Sequence, residues 1–225
     1  MGMVASAGPI IQWSWVSSER SMIESLLLQH IELTVIAVAV GLAIAVPLGI
    51  LSWKVPAIRP PLVGLTGAIY VIPSVALLAL FAPLTGFFSI TTAEVALVGY
   101  TLLILLRNTV AGLESVPADA QDAAQGMGYT QFQQLAKVQL PLALPAILAG
   151  VRVATVTTIG LVTVTAFIGQ GGLGQLIIQG FSEDFNTPIF IGLILSVLLA
   201  GVADALIVGL QRLSLPWLRR RRVAG

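Results

Sequence analysis

The sequence reads DAAQGMGYTQFQQLAKVQLP from Asp122 to Pro141, and this polar stretch lies between long apolar segments. Its fixed points, in chain order, are Asp122, Ala123, Ala124, Gly128, Val138, Leu140 and Pro141. A polar, helix-forming stretch in a chain that otherwise suits lipid must face water or another protein, because polar side chains without partners are costly in hydrocarbon. The stretch therefore predicts a loop outside the membrane that offers an interaction surface.

The composition excludes an ordinary soluble domain. Of the 225 residues, 57% are hydrophobic and 9% are charged, whereas soluble domains carry roughly 25% charged residues. The chain has no cysteine, which excludes disulfides and thiolate metal sites, and its single histidine, His30, argues against a histidine-based metal centre. We expect an integral membrane protein without a metal or a cofactor.

Five segments are long and apolar enough to cross a membrane, which takes about 20 residues of helix. They run approximately over Leu33–Leu51, Leu62–Phe81, Ala93–Leu113, Ala146–Ile168 and Pro188–Leu210. Pro47 and Pro73 fall inside the first two and suggest kinks. The predicted fold class is an all-α integral membrane protein with five transmembrane helices.

The basic residues predict the orientation of these spans, because Lys and Arg accumulate on the cytoplasmic side. Three regions on one side of a five-span chain carry them, namely Lys54 with Arg59, Lys137, and Arg212 with Arg219–Arg222. Arg20, near the N-terminus, opposes the pattern. We therefore expect an external N-terminus, and a cytoplasmic C-terminus and polar loop.

The polar loop reads as two short helices over 116–140. Pro117 suits the first turn of one helix, and Gly126 with Gly128 interrupts it. Thr130 and Gln133 have the spacing of a capping box, which begins the second helix.

Three features of the second helix complete the prediction. Phe132, Leu135 and Ala136 share one face by helical spacing. Leu140-Pro141 and Pro145 are expected to end the helix and lead into the next span. The alternative is an ordinary amphipathic loop lying on the membrane.

The spacing of the loop resembles the "EAA" motif of bacterial ABC importer permeases, with Asp122 for the usual Glu and Val138 for the usual Ile. In that family the motif is the place where the cytosolic ATPase binds. The resemblance implies ATPase-coupling roles for Asp122, Ala123, Ala124, Gly128, Phe132, Leu135, Leu140 and Pro141.

Several further segments are similar to osmoprotectant permeases, which import glycine betaine, carnitine or choline. They are residues 29–31, 46–51, 106–109, 140–145, 149–155 and 166–174. The resemblance implies a dimer of permease subunits, two ABC ATPase subunits and an external substrate-binding protein. A permease for methionine or sulfonate-type solutes, and a stand-alone secondary transporter, remain alternatives.

The expected domain organisation follows from the spans and the resemblance. Residues 1–30 form an external N-terminal segment, which is either a short surface helix carrying Trp13 and Trp15 or a loosely ordered tail. Residues 31–212 form the permease domain in the bacterial cell membrane, and 213–225 form a basic cytoplasmic tail. The sequence has no Gly-x-x-x-x-Gly-Lys-Ser/Thr loop, so we expect no enzymatic activity and ATP hydrolysis by a separate partner.

Three charged residues lie in or near the spans, namely Arg107, Arg152 and Asp204. Charges inside a membrane usually face the protein interior and pair. An ion pair of Asp204 with Arg152 or Arg107 would brace an inner gate. In the alternative, both arginines extend to the cytoplasmic interface.

Two polar patterns are harder to assign. Thr155, Thr158 and Thr165 group on one side of the fourth span and are candidates for a solute pathway, although such threonines more often bond helix carbonyls. The run 169–174 matches a dinucleotide fingerprint but follows an apolar span rather than a strand. We expect it to be a glycine-rich bend near the outer gate or beneath a re-entrant segment.

Overall fold

The long apolar runs of the sequence fold into helices, and the computed structural model describes them over residues 10–214. The helices are α1 (Trp13–Ser18), α2 (Arg20–Lys54), α3 (Arg59–Val71), α4 (Ser74–Thr85), α5 (Ile90–Glu114), α6 (Ala118–Gly126), α7 (Gln131–Gln134), α8 (Leu140–Val164), α9 (Gly174–Ser182) and α10 (Asn186–Ser214). Within 10–214 there is no strand, so the all-helical prediction is confirmed. Residues 1–9 and the arginine-rich tail lie outside the described part.

Four helical stretches are each long and apolar enough to span a membrane, and α3 with α4 forms a fifth candidate that is bent by 102°. The kink expected at Pro73 in the Leu62–Phe81 span is confirmed, and it is sharp enough to divide the span into two helices. Pro73 stands between the two helices and caps α4, since a proline disfavours helical backbone in the residue before it. The Tyr100 hydroxyl donates a hydrogen bond to the Ile72 carbonyl at this break.

The bent pair crosses from one end of the bundle to the other. Arg59, at the start of α3, forms an ion pair with Glu114, at the end of α5. Thr85, at the end of α4, contacts Thr92 in the first turn of α5. Because α5 itself runs the length of the bundle, α3 and α4 together count as one broken span, which gives five candidate spans within residues 10–214.

The central helix is α5, which packs against both α2 and α8. Glycines let the backbones approach, as is common between helices in membranes. A Cβ added at Gly41 would lie 1.9 Å from the Thr101 Oγ1, and one at Gly150 would lie 2.5 Å from the Asn108 Cβ. Both substitutions would force the helices apart, so these residues determine the spacing of the bundle.

The N-terminal residues from Ile10 onward belong to the bundle. Helix α2 begins at Arg20 and continues through residue 30, so the expected boundary at that position does not coincide with a structural break. Ile23 packs in a core cluster with Leu173, Leu176 and Ile191, which come from the other end of the chain. The loosely ordered tail is therefore wrong for this part of the segment.

Candidate coupling segment and intramembrane ion pair

The loop over 116–140 contains the two short helices that the sequence predicts. Pro117 caps α6. In the capping box of α7, the Thr130 hydroxyl accepts from the Gln133 N–H at 3.3 Å, and the Gln133 side chain accepts from the Thr130 N–H at 2.9 Å. Gly128 separates the helices with φ +76°, a left-handed conformation that favours glycine. We refer to residues 116–140 as the coupling segment.

The eight residues assigned to this segment by resemblance divide into exposed and covered groups. Asp122, Ala123, Gly128 and Phe132 are exposed. Phe132 lies outside the apolar segments and is 76% exposed, which is unusual for an aromatic side chain at such a position. We call these four exposed residues the docking surface, because the resemblance implies that an ATPase binds at this loop.

The covered group cannot meet a partner directly. Ala124 is fully buried and Leu135 is 9% exposed, while Leu140 and Pro141 are half-buried. Leu135 packs with Leu113, Val116, Ala143 and Ile147. The expectation that Phe132 and Leu135 share a face is wrong, because Leu135 turns toward the membrane helices and fixes the segment on them.

The expected helix exit at Leu140-Pro141 and Pro145 is also wrong. Residues 131–168 form one continuous helical stretch, in which a π-helical turn, Leu135–Gln139, joins α7 to α8. Pro141 falls in the first turn of α8, where a missing N–H costs least. The π turn absorbs one extra residue, so the helix continues past the proline instead of stopping.

Two glutamines that sequence reasoning did not assign link α6 to this turn. Gln139 is buried, and its Nε2 lies 3.4 Å from the Gln121 Oε1. Gln121 in turn donates to the Val116 carbonyl at 3.2 Å. The sequence did contain a signal for this link, since Gln139 is a polar residue directly before Leu140-Pro141, at a position that is covered.

Asp204 on α10 pairs with Arg152 on α8. The Arg152 Nε and Nη2 donate to the two carboxylate oxygens at 2.7 and 2.9 Å. Arg107 is exposed on α5 and forms no ion pair within residues 10–214. The alternative pairing of Asp204 with Arg107 is therefore wrong. The paired side chains remain 37% and 35% exposed.

The ion pair lies in a groove between α8 and α10. The groove has a volume of about 500 Å³ and is lined by Ala149, Arg152, Val153, Val156, Thr157 and Asp204. Val153 and Val156 are 53% and 41% exposed along it. It combines apolar walls with one charge of each sign.

The three threonines of the candidate solute pathway are covered in this structure. Thr155, Thr158 and Thr165 are all less than 9% exposed. The Thr155 hydroxyl donates to the Val151 carbonyl at 2.8 Å, and that of Thr165 to the Val162 carbonyl at 2.8 Å. These contacts favour the alternative of helix-bonded threonines over a surface that meets solute.

The glycine-rich run 169–174 is a bend. It follows helix α8 and one 3₁₀ turn, not a strand, which removes the context that dinucleotide binding needs. A Cβ added at Gly172 would lie 2.7 Å from the His30 Cβ, and the Gly172 N–H donates to the Gln29 side chain at 3.1 Å. The bend is thus fixed against α2.

Glu94, near the start of α5, is a further residue that sequence reasoning missed. Both of its carboxylate oxygens are covered and accept no hydrogen bond from the described residues. Glu32 on α2 is close enough for the two charges to interact.

Comparison with known proteins supplies the family context. Residues 37–219 match the family described as "Binding-protein-dependent transport system inner membrane component". The osmoprotectant import permease protein OsmW of Salmonella typhimurium is 37% identical over 191 residues, 83% of this chain and 89% of that protein. The choline transport system permease protein OpuBB of Bacillus subtilis is 37% identical over 184 residues, 82% of this chain and 84% of that one.

Solved structures match over a similar length. An inward-facing structure of the MetNI methionine ABC transporter has a TM-score of 0.80 at 22% identity, covering 88% of this chain and 98% of that chain. An amino acid ABC transporter has a TM-score of 0.69 at 19% identity, covering 90% and 98%. At this level of identity the likeness concerns the fold alone.

Proposed function

The chain belongs to the binding-protein-dependent transport system inner membrane component family and is a permease subunit of an ABC importer, and we propose that its solute is an osmoprotectant such as glycine betaine, choline or carnitine. The observation that carries this proposal is the 37% identity, over 83% of the chain, to an osmoprotectant import permease. A choline permease at the same identity points to the same solute class. The methionine alternative draws support from fold likeness alone.

The partners follow from the role of a permease subunit. Two ABC ATPase subunits supply the energy, a second permease subunit completes the path through the membrane lipid, and an external binding protein delivers the solute. The ATPase docks on the surface formed by Asp122, Ala123, Gly128 and Phe132. A supporting observation is the groove of about 420 Å³ beside it, which is lined by Trp53, Lys54, Gln131, Gln134 and Gln139.

An exposed aromatic beside small residues is a typical anchor for a protein partner. Phe132 provides a large apolar contact, and aromatic anchors carry a disproportionate share of interface energy. Gly128 has open space where a Cβ would stand, so a partner backbone can approach it closely. ATP hydrolysis takes place on the partner, and the permease breaks no bond itself.

Movement passes from the docking surface into the membrane along one helical stretch. Residues 131–168 are continuous, and Leu135 and Gln139 hold the π turn against the neighbouring elements. A push on Phe132 therefore displaces α8 as a unit. The Arg152–Asp204 pair then transmits the displacement from α8 to α10 and acts as the brace of an inner gate.

We assign the coupling segment to the cytoplasm. Lys54, Arg59 and Lys137 lie on the same side of the bundle as this segment, and cytoplasmic loops carry the excess of basic residues. With five crossings, the N-terminal end of the described chain is external. The basic tail over 215–225, outside the described residues, belongs to the same cytoplasmic side by sequence.

Purification of the tagged permease with its associated subunits tests the proposal. We expect an ABC ATPase to co-purify, and we expect the complex in liposomes to hydrolyse ATP faster when the loaded binding protein is added. Glycine betaine, carnitine and choline should accumulate in the liposomes, while methionine and an alkyl sulfonate should not. Accumulation of methionine alone would overturn the solute assignment, and absence of any ATPase would overturn the coupling role.

A further inference from the structure

The groove between α8 and α10 places two opposite charges inside membrane-spanning segments. Arg152 is 16 residues before Ile168, and Asp204 is 18 residues after Asn186, which puts both about 25 Å from the same end of the bundle at 1.5 Å per residue. Charged side chains at such depth face a water-filled cavity or a protein, not lipid. Each side chain is more than one-third exposed, so the helices of this chain do not enclose the pair, and the groove leaves both charges open to a further group.

The hydrogen bonds of the pair leave part of the guanidinium available. Asp204 occupies the Nε–Nη2 edge of Arg152 through two bonds. Within residues 10–214 the Nη1 donates no hydrogen bond, and arginine presents five N–H donors in a planar fork. The second edge, Nη1–Nη2, is therefore free to receive another carboxylate, with its plane already fixed by Asp204.

The walls of the groove suit methyl groups. Val153 and Val156 are exposed along one side, and Ala149 adds no bulk. A volume of about 500 Å³ is within the range of roughly 300–1,000 Å³ typical of small-molecule sites. A quaternary ammonium group has no N–H to donate, so it needs apolar contact together with a nearby negative charge, and Asp204 supplies the charge.

We propose that this groove is a solute-binding site for a small zwitterion, with its carboxylate on the free edge of Arg152 and its methylated, cationic nitrogen between Asp204 and the valines. The assignment rests on the proposed osmoprotectant function and deepens it, because it locates a recognition step in the permease itself. A solute with both charges uses both residues. A solute with the cation alone uses Asp204 without Arg152.

Uptake by the complete transporter in liposomes, with its ATPase and binding protein, tests the site. Labelled glycine betaine and choline are compared in the wild type and in Arg152→Gln. We expect the ratio of glycine betaine to choline uptake to fall at least tenfold in Arg152→Gln. Asp204→Asn should lower uptake of both solutes, because both carry the cationic nitrogen. Arg107→Gln, which removes an arginine of α5 outside the groove, is the matched control and should keep the wild-type ratio.

A second variant keeps the test decisive if Arg152→Gln does not assemble. Arg152→Lys retains the charge and the pairing with Asp204 but loses the planar fork, and we expect it to lower the same ratio. An equal loss of both solutes in the Arg152 variants, or an unchanged ratio, overturns the site while leaving the proposed function intact. A wild-type transporter that moves choline and no zwitterion overturns it as well. A wild-type complex that moves neither solute overturns the proposed function instead.

Discussion

Phe132 and Leu135 lie three residues apart in one helical stretch, yet Phe132 is 76% exposed and Leu135 is 9% exposed. Helical residues at this spacing normally share a face. Here Leu135 begins the π-helical turn and packs between α5 and α8, while Phe132 points away from the bundle. We therefore expect separate roles, ATPase docking for the exposed Phe132 and anchoring of the segment for the buried Leu135.

This separation predicts different losses for two alanine variants. Phe132→Ala should weaken co-purification of the ATPase at least tenfold and leave the thermal unfolding of the purified permease unchanged. Leu135→Ala should lower the free energy of unfolding by about 2 kcal/mol or more, since it empties a buried site. Unfolding in detergent and ATPase pull-down measure the two effects. Full ATPase retention by Phe132→Ala would contradict the docking role.

The left-handed backbone of Gly128 leads us to expect that a substitution there disturbs coupling. Gly128→Leu should abolish ATP-driven uptake and ATPase docking while membrane insertion persists, because a side chain at φ +76° is strained and also intrudes on the docking surface. Gly126→Leu is the matched control, since it too has open space for a Cβ but an ordinary φ, and it should retain most docking. Unchanged uptake in Gly128→Leu would show that the turn at Gly128 is not needed for coupling.

The Arg152–Asp204 pair predicts rescue by charge exchange. Arg152→Asp and Asp204→Arg alone should each reduce uptake and thermal stability, because each leaves like charges facing one another. The double variant should recover at least half of the lost stability. Arg107→Asp combined with Asp204→Arg serves as the control and should show no recovery. Recovery in the control, or none in the exchanged pair, would rule out the pairing.

The hydrogen bond of Tyr100 leads us to expect that its hydroxyl stabilises the break between α3 and α4. Tyr100→Phe removes the hydroxyl that donates to the Ile72 carbonyl, and a typical intramolecular hydrogen bond contributes about 0.5–1.5 kcal/mol. We expect a lower unfolding midpoint in detergent. Tyr70→Phe keeps the edge-to-face ring contact with Tyr100 and should have little effect. Equal shifts in the two variants would show that the hydroxyl of Tyr100 is not the decisive group.

Much of the fold could be predicted because local physics determines it. Long apolar runs must be helical in lipid, since each backbone polar group needs an internal partner. The capping box at Thr130 and Gln133 could also be predicted, because both partners lie within one turn. The family was predicted from the spacing of the loop motif, and the match to the family over residues 37–219 confirms it.

Composition and short-range patterns were enough to predict the membrane location, the helical class and the two short helices within residues 116–140, because each depends on residues near one another in the chain. Tertiary structure decided which polar residues meet. Asp204 could have paired with either of two arginines, and the packing of α10 on α8 selected Arg152. The covered carboxylate oxygens of Glu94, the inward turn of Leu135 and the groove beside Arg152 likewise depend on how separate helices pack, because burial is a property of neighbours distant in the chain.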